Sequence, residues 1–445
     1  MRNVLFNLIE KRQLGILSGI PSYCCSNKIV IEAILEQSRR FDDLVLIEAT
    51  SNQVNQYGGY TGMTPKHFKE YTYKIAKKIG FDKNKIILGG DHMGPLPWVD
   101  MPAQEAMQKA KELVRLCVLA GYKKIHLDTS MKLGDDPINE KLSNIVIAQR
   151  GVELLKECEI AYQELLKENP NEIKPVYVIG SEVPVPGGEC SANQELEITK
   201  IEDFESTLLA YKQSLASQGL EEYWNDIIAV VVQPGVEFNE ESIHLYDREK
   251  ARKLCSSLKQ YPDIVFEGHS TDYQPPAKLK EMVEDGIAII KVGPALSYAL
   301  REGLFALSAM EKELMGESPE QSYFKDVLES AMLKNEKYWK KYYLGNERKK
   351  KISRKFSFSD RARYYFIQPE VEKAIKKLFE NMDKIEIPLG LLKQYMPIQY
   401  CKVRDGILKL KARELVKDSV INVIDDYNYA VKCNYMRSTI VRWKQ

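Results

Sequence analysis

Short runs rich in valine and isoleucine alternate with longer amphipathic segments between residues 15 and 292. This alternation limits the possible folds more than any other feature of the chain. Near-continuous apolar runs are typical of parallel strands buried on both faces, because a strand with one solvated face alternates apolar and polar residues. Eight β–α units favour a closed (β/α)8 barrel over a doubly wound open sheet, which the sequence leaves open. The predicted strands cover residues 15–20, 44–49, 85–89, 123–127, 175–179, 226–232, 263–266 and 286–292.

The segments between these runs have helical periodicity and supply the predicted outer helices. These helices cover residues 30–40, 65–80, 104–120, 145–166, 207–217, 247–261 and 276–285. The stretch 132–175 is longer than a minimal crossover, so we expect an extra loop and helix there. Beyond the last strand the pattern is helical, first at 296–314 and 320–343. We therefore predict an α/β protein with a barrel over residues 1–315 and a helical C-terminal region over 316–445 that packs on the barrel.

The charge balance limits the partners that this chain is expected to have. Its 64 Lys and Arg residues nearly cancel its 63 Asp and Glu residues, so the net charge is +1. This gives no general reason to expect a nucleic acid or a membrane as partner. Charges at residues 10–12 interrupt what would be the apolar core of a signal peptide, and we expect a cytoplasmic protein. The basic run 348–351 is interpreted as part of a solvated linker rather than as a phosphate or nucleic-acid contact.

Three of the five histidines in the chain fall at the carboxyl ends of predicted strands. In a barrel of this kind the chemistry lies at these ends. Because His92, His126 and His269 each lie within two residues of a carboxylate, a divalent metal site is favoured over three ordinary buried histidines. We predict His92, His269 and Glu182 as ligands. Zinc is favoured, and Mn, Co or Ni would suit these ligand types as well.

The carboxylates near these histidines are candidates for acid–base work. Asp91 is the natural acid–base residue beside a metal-bound oxygen, and Glu182 and Asp128 are further catalytic candidates. The competing interpretation of Asp91 and Asp128 is that each caps a helix or a loop. His126 and Asp128 are two residues apart and should face the same way, so one of them is expected to support the site from behind.

Polar residues at the other strand ends are candidates for substrate binding. Two glycine clusters, one with Gly187 and Gly188 and one with Gly293, would offer backbone N–H groups to phosphate or sugar oxygens, although plain turns explain them equally well. The chain has no phosphate-binding loop of the GxxxxGK[ST] type and no GxGxxG after a strand, so kinase and dehydrogenase chemistry lack local support. The remaining substrate-binding candidates are Glu48, Asn52, Gln53, His126, Gln233, Lys291 and Arg361.

Several long motifs resemble the GatZ/KbaZ family of tagatose-bisphosphate aldolase subunits, once labelled tagatose-6-phosphate kinases. The resemblance covers nearly the whole chain, with Phe366 a mild departure where tryptophan is expected. The motifs are IEATSNQVNQ (47–56), GGYTGM (58–63), GGDHMGP (89–95), HLDTSM (126–131), EVPVPGG (182–188), KVGPAL (291–296), SDR (359–361) with YY (364–365), and YMPIQY (395–400).

The resemblance implies a barrel similar to that of class II, metal-dependent aldolases. It implies that Asp91 is the acid–base residue and that His92 and His269 are metal ligands. Those aldolases have a further ligand histidine at strand 8, where this chain reads Lys291-Val292-Gly293. A carboxylate such as Glu182 must then substitute for that histidine, or the site is altered.

Two functions compete within such a family. The first, which we favour from the sequence, is C4 epimerisation of tagatose and fructose or of their 6-phosphates. Since the C4 hydrogen of a ketohexose is not acidic, the easiest route breaks and remakes the C3–C4 bond with help from a metal. The second is a non-catalytic partner that supports a separate catalytic aldolase subunit. A sugar-phosphate binding module and a kinase are weaker alternatives, and the sequence also leaves a homo-oligomer open.

Overall fold

The computed structural model describes residues 2–181 and 196–432. Eight parallel strands close into a barrel, and each is hydrogen-bonded to two neighbours. This confirms the predicted (β/α)8 barrel and excludes the open sheet. The barrel strands are β1 (Ile20–Cys24), β2 (Val45–Thr50), β3 (Ile86–Met93), β4 (Lys124–Leu127), β5 (Val176–Ile179), β6 (Ile227–Val232), β9 (Val265–Gly268) and β10 (Ile287–Val292). Their circular order is β1-β10-β9-β6-β5-β4-β3-β2. A small hairpin, β7 (Glu237–Phe238) with β8 (Ile243–His244), lies outside the barrel.

The first strand is the predicted strand that the structure moves furthest. It covers Ile20–Cys24 rather than residues 15–20. Gly15 adopts φ +70°, which turns the chain at the end of the first helix, and Ile16 and Leu17 are exposed at 48% and 49%. The apolar residues of the predicted run therefore belong to a surface turn, and the paired segment begins where Ile20 meets Ile289 of β10.

Helices surround the barrel and continue through the C-terminal region. Those up to β10 are α1 (Asn7–Gln13), α2 (Lys28–Arg40), α3 (Pro65–Ile79), α4 (Ala103–Leu119), α5 (Asn144–Glu168), α6 (Ile201–Ser217), α7 (Arg248–Ser257) and α8 (Pro276–Glu284). Those after β10 are α9 (Pro294–Met315), α10 (Phe324–Lys334), α11 (Glu347–Phe356), α12 (Pro369–Lys384), α13 (Leu389–Tyr395), α14 (Pro397–Arg404) and α15 (Ala412–Val431). The stretch 132–175 contains a long loop and one helix, α5, which is the ordinary crossover helix between β4 and β5. The extra loop expected there is present, and an extra helix is not, because a single long helix takes up the added residues.

The helical region after the barrel returns to it through its last helix. Helix α15 packs against α2, α8 and α9. The Tyr427 hydroxyl group donates to the carbonyl of Thr271 at 2.9 Å, so this helix contacts the segment that follows β9. None of the helices in the described part of the chain is long and apolar enough to cross a membrane.

The basic run 348–351 was predicted as a linker, and this interpretation is wrong. These residues lie in α11, which starts at Glu347 after the side chain of Asn346 accepts the backbone N–H of Lys349 at 2.9 Å. Asparagine is a favoured residue at this capping position, so the sequence carries a local signal for the start of this helix. The run is still solvent-exposed for most of its length.

The barrel interior has two layers with different chemistry. In the lower layer, Leu5, Leu8 and Ile9 from the N-terminal segment plug the barrel against inward-facing apolar residues of the strands. Because strand residues alternate between the two faces, inward residues nearer the carboxyl ends of several strands form an upper layer. That layer is polar and charged: it contains Ser22, Glu48, Asp91, Lys124, His126, Glu267 and Lys291, all buried.

Candidate active site

Two lysines and two glutamates form a buried network across the upper layer of the barrel. The Lys124 ammonium group lies 2.8 Å from Glu48 Oε1 and 2.8 Å from Glu267 Oε2. Lys291 forms ion pairs with Glu48 and, at 3.7 Å, with Glu267 Oε1. It also lies 2.9 Å from Asp91 Oδ1. Buried charges are tolerated when they are paired in this way, so the network fixes the strand ends on which the site is built.

Small residues make room for this network. Gly89 on β3 faces Glu48 so closely that a Cβ at this position would lie 2.4 Å from Glu48 Oε1. Any larger residue at position 89 would therefore displace the carboxylate that both lysines share.

Three imidazole rings meet above the network. The rings of His92, His126 and His269 pack edge to face, with centroids 4.9 to 5.1 Å apart. Asp91 completes the cluster, and one ligand atom from each of the four residues lies within 4.8 Å of the others. All four residues are buried. The three strand-end histidines singled out in the sequence thus converge in the described structure.

Hydrogen bonds fix the orientation of each ring. His92 Nδ1 lies 2.6 Å from Asp128 Oδ2, and His269 Nε2 lies 2.9 Å from Glu267 Oε1. His126 Nδ1 lies 3.1 Å from Asp91 Oδ1 and 3.2 Å from the backbone nitrogen of His92, while its Nε2 is buried and has no partner among the described residues. Asp128 therefore supports His92 from behind, and its other oxygen accepts the backbone N–H and the hydroxyl group of Ser130, so it also caps the local loop.

Burial and neighbouring charges shift the pKa values of Asp91, His92 and His269. Burial acts to raise the pKa of Asp91, but His92 and Lys291 outweigh it and hold this pKa well below its usual value. Burial likewise acts to lower the pKa of His92, and Asp91 and Asp128 raise it overall. His269 differs because burial dominates and lowers its pKa to about 4. At neutral pH, Asp91 is a carboxylate and His269 is a neutral imidazole.

These residues fit a divalent metal ion. The set offers neutral imidazole nitrogen and carboxylate oxygen, which are the donors that Zn, Mn, Co and Ni accept. The unpartnered Nε2 of His126 is the kind of buried polar atom that a bound group would satisfy. His126, predicted as a substrate contact or as a residue that supports the site from behind, is thus a ligand candidate in its own right. Glu182, predicted as a ligand and as a catalytic residue, lies outside the described residues, as do Gly187 and Gly188.

The backbone at His92 is strained. His92 has φ +48°, in the left-handed region that a residue with a side chain rarely adopts. The pairing of β3 with β4 also shifts register between Gly90 and Met93. This irregularity aims the His92 ring into the barrel mouth, and strain of this kind clusters at functional sites.

A pocket of about 990 Å³, including its open mouth, lies directly above the cluster. Asp91, His92 and His269 line its base. The predicted substrate contacts that line it are Asn52, Gln53, Lys291 and Gly293. Further lining residues include Cys24, Ser26, Asn27, Thr50, Tyr60, Phe238, Asp272, Ser297, Arg363, Tyr364 and Phe366.

Several predicted substrate contacts lie elsewhere in the structure. Glu48 and His126 are fully buried beneath the pocket. The Gln233 side chain accepts the backbone N–H groups of Gly235 and Val236, both at 2.9 Å, and so stabilises a turn. The Arg361 guanidinium lies over the Tyr342 ring, 3.0 Å from its centroid, and does not line the pocket.

The glycine cluster at the end of β10 also has an internal partner. The backbone N–H groups of Gly293 and Ala295 donate to Asp272 Oδ1 at 3.0 and 2.8 Å. Burial raises the pKa of Asp272 to about 6. A side-chain carboxylate thus takes the place at the start of α9 where the sequence suggested a ligand oxygen.

Two features of the site were missed in the sequence. Lys124 lies in the buried strand KIHL, and Glu267 lies in the buried strand VFEG. A charged residue in a strand that is buried on both faces indicates a network of ion pairs inside the barrel, so this network could have been predicted. Arg363 lines the pocket although Arg361 was the arginine selected. No sequence signal separates these two, because their directions depend on the short 3₁₀ turn Arg361–Tyr365.

Comparison with known proteins agrees with this architecture. The family model for D-tagatose-1,6-bisphosphate aldolase subunit GatZ/KbaZ-like proteins matches residues 5–432. The chain is 42% identical over 423 residues to a protein named D-tagatose-1,6-bisphosphate aldolase subunit GatZ from Salmonella dublin, covering 95% of this chain and 98% of the relative. The GatZ subunit of Salmonella gallinarum gives the same values.

A solved structure supports the same relationship. It is a crystal structure described as a probable tagatose 6 phosphate kinase from Sinorhizobium meliloti. It is 39% identical to this chain, covers 93% of this chain and 100% of its own, and has a TM-score of 0.84. The family resemblance seen in the motifs is thereby confirmed: this chain belongs to the GatZ/KbaZ-like family of D-tagatose-1,6-bisphosphate aldolase subunits.

Proposed function

We propose that this chain is a subunit of a D-tagatose-1,6-bisphosphate aldolase and works with a separate catalytic aldolase subunit. The observation that carries the proposal is the 42% identity to proteins with that subunit name, over nearly the full length of both chains. This favours the subunit function over the epimerase that we favoured from the sequence.

The test compares the catalytic subunit of a class II tagatose-bisphosphate aldolase alone and mixed with this chain. We expect the two proteins to elute together in size-exclusion chromatography. We also expect the mixture to cleave tagatose 1,6-bisphosphate faster, or to keep its activity longer at elevated temperature. Separate elution with unchanged activity and half-life would refute the subunit function.

A specific observation favours a second candidate function, C4 epimerisation of a ketohexose or its phosphate by this chain alone. Asp91, His92 and His269 line an open pocket rather than a closed structural core. His92, His126 and His269 would hold a divalent ion, which would polarise a substrate carbonyl. The remaining chemistry belongs to side chains of this protein.

In this scheme Asp91 accepts the proton of the substrate O4 hydroxyl group. The C3–C4 bond then breaks, C4 becomes an aldehyde, and the electron pair of the broken bond moves onto the C2–C3 unit. Lys291, whose ammonium group lies 2.9 Å from Asp91, places positive charge where this negative charge develops. The aldehyde turns its other face, the bond re-forms, and Asp91 returns the proton to O4.

Carbon NMR distinguishes this function from the subunit function. The purified, metal-loaded chain is incubated alone with fructose 6-phosphate and with free tagatose, with and without EDTA. We expect a C4 epimer that EDTA abolishes, loss of this product in Asp91→Asn, and normal product in the exposed control Asp326→Asn. Epimerisation that is unchanged in Asp91→Asn would refute the mechanism.

A further inference from the structure

Arg363 stands apart from the other charged residues of the pocket. It is the only arginine among the described residues that line the pocket, and it faces a cavity whose base is the histidine cluster. Its Nη1 donates to the backbone carbonyls of Ser359 and Asp360, the latter at 3.0 Å. Its Nη2 donates to the Tyr364 hydroxyl group at 3.1 Å. These partners are neutral, and they hold the guanidinium in place without balancing its charge.

The carboxylates near Arg363 are already engaged elsewhere. Asp360 accepts from Arg301 Nε and from the Ser297 hydroxyl group, both at 2.6 Å. Asp272 accepts the N–H groups at the start of α9, and Asp91 pairs with Lys291. None of these three carboxylates forms an ion pair with Arg363 in the described part of the chain.

The surroundings of Arg363 are otherwise uncharged. The Arg363 guanidinium carbon lies 4.6 Å from the centroid of the Tyr364 ring, and Tyr60 packs edge-on against the same ring at 4.7 Å. Arg363 is only partly exposed to solvent. A half-buried guanidinium without a carboxylate partner favours an anionic ligand, and its planar fork of N–H groups matches phosphate oxygens.

We infer that Arg363, rather than Arg361, binds the phosphate group of a ligand in this pocket and determines its preference for a phosphorylated over a free ketohexose. This inference rests on the proposed function in one respect, since it assumes that the sugar carbons lie over the histidine cluster. The subsite lies at the mouth of the pocket, on the C-terminal region, and the reacting end of the ligand lies on the barrel strands. Both parts of the chain thus contribute to one binding site.

Equilibrium binding tests the inference without requiring turnover. Isothermal titration calorimetry compares fructose 6-phosphate, fructose and inorganic phosphate on the metal-loaded wild type, Arg363→Met, Arg363→Lys and the exposed control Arg348→Met. We expect Arg363→Met to weaken fructose 6-phosphate binding by about 10- to 100-fold and to leave fructose binding unchanged. Arg363→Lys should retain part of the preference, because it keeps the charge but loses the fork.

A competition measurement on the wild-type protein tests the same inference without a variant, so its result does not depend on whether Arg363→Met folds. Inorganic phosphate should compete with fructose 6-phosphate for the wild-type protein and should not compete with fructose. Independent binding of phosphate and fructose 6-phosphate would overturn the inference. So would an equal loss of affinity for both sugars in Arg363→Met, or a loss of preference in Arg361→Met instead.

The outcomes separate this inference from the proposed function. A preference for fructose 6-phosphate that depends on Arg363, in a protein with neither epimerase activity nor an effect on an aldolase subunit, would support the subsite and refute the function. Activity with equal affinities for fructose and its 6-phosphate would support the function and refute the subsite.

Discussion

At the scale of single residues, His92 carries the most structural information. It combines a left-handed backbone with a φ of +48°, a 2.6 Å contact to Asp128, and a place at the base of the pocket. A left-handed residue with a side chain costs about 1–2 kcal/mol, so the surrounding hydrogen bonds must hold it there. Its function as a metal ligand remains a prediction, and it can be tested without an activity assay.

We expect His92→Asn to retain the fold and lose metal. Asparagine tolerates the left-handed region, so the backbone of β3 should keep its course. Without the imidazole, affinity for a divalent ion should fall at least about tenfold. Metal content after chelation and reloading, measured by mass spectrometry, checks this. The exposed His67→Asn is the control, and equal metal content in both variants would contradict the assignment.

A second residue, Glu237, should make stability depend on pH. Its carboxyl group is 4% exposed, and burial raises its pKa from an ordinary 4.5 to about 7. The folded protein therefore binds this proton more tightly than the unfolded chain. Stability is greatest at low pH for this group, and it falls as pH rises from about 4.5 to 7.

Glu237→Gln should remove this dependence. The gap between 4.5 and about 7 corresponds to about 3 kcal/mol, so we expect a gain of that order at pH 8 and less than about 1 kcal/mol at pH 5. Urea unfolding at both pH values measures the difference. Glu241→Gln, at an exposed position, should change stability little. A gain from Glu237→Gln that is the same at both pH values would show that the carboxyl group does not titrate as described.

At the scale of elements, the start of α9 shows how a helix terminus is completed by a distant loop. Position 293 is glycine, which offers no side chain to cap the helix. Asp272, which follows β9, instead accepts the N–H groups of Gly293 and Ala295. The same contact joins the ends of the last two barrel strands beside the pocket.

Replacing Asp272 should separate its hydrogen-bonding contribution from its charge. Asp272→Ala leaves two N–H groups without a partner and should destabilise the protein by about 1–2 kcal/mol. Asp272→Asn keeps an acceptor oxygen and removes a charge that burial disfavours, so it should be at least as stable as the wild type at pH 8. Chemical denaturation at pH 8 compares the two variants. An equal loss in both would mean that the carboxylate charge itself is required.

At the scale of the whole molecule, α15 ties the C-terminal region to the barrel. It packs on α2, α8 and α9 through residues such as Val420 and Ile424, both fully buried. Polar contacts accompany this packing: Lys417 pairs with Glu36 of α2 at 2.7 Å. We propose that the barrel and the helical region unfold together, while the boundary at residue 315 remains a prediction.

Ile424→Ala tests this proposal. Removing a fully buried isoleucine side chain should cost about 2–5 kcal/mol, whereas Ile407→Ala, at a position that is 56% exposed, should stay within about 0.5 kcal/mol of the wild type. We expect one unfolding transition, shifted as a whole, in fluorescence and circular dichroism. Two transitions, of which Ile424→Ala shifts only one, would show that the regions are independent.

The sequence by itself determined the order of strands and helices, favoured a closed barrel over an open sheet, and grouped three histidines at one mouth. Strands buried on both faces must be apolar, helices that cover them must be amphipathic, and parallel strand ends in a barrel share one face. His92, His126 and His269 could therefore be brought together from their positions along the chain alone.

Only the tertiary structure decided which charges meet and which arginine faces the pocket. Lys124 joins Glu48 and Glu267 across three strands, and Arg363 rather than Arg361 lines the cavity. Ion pairs of this kind depend on how distant segments are positioned in space, and the direction of an arginine depends on the rotation of one short 3₁₀ turn. Neither quantity is encoded in the local periodicity from which strands and helices are predicted.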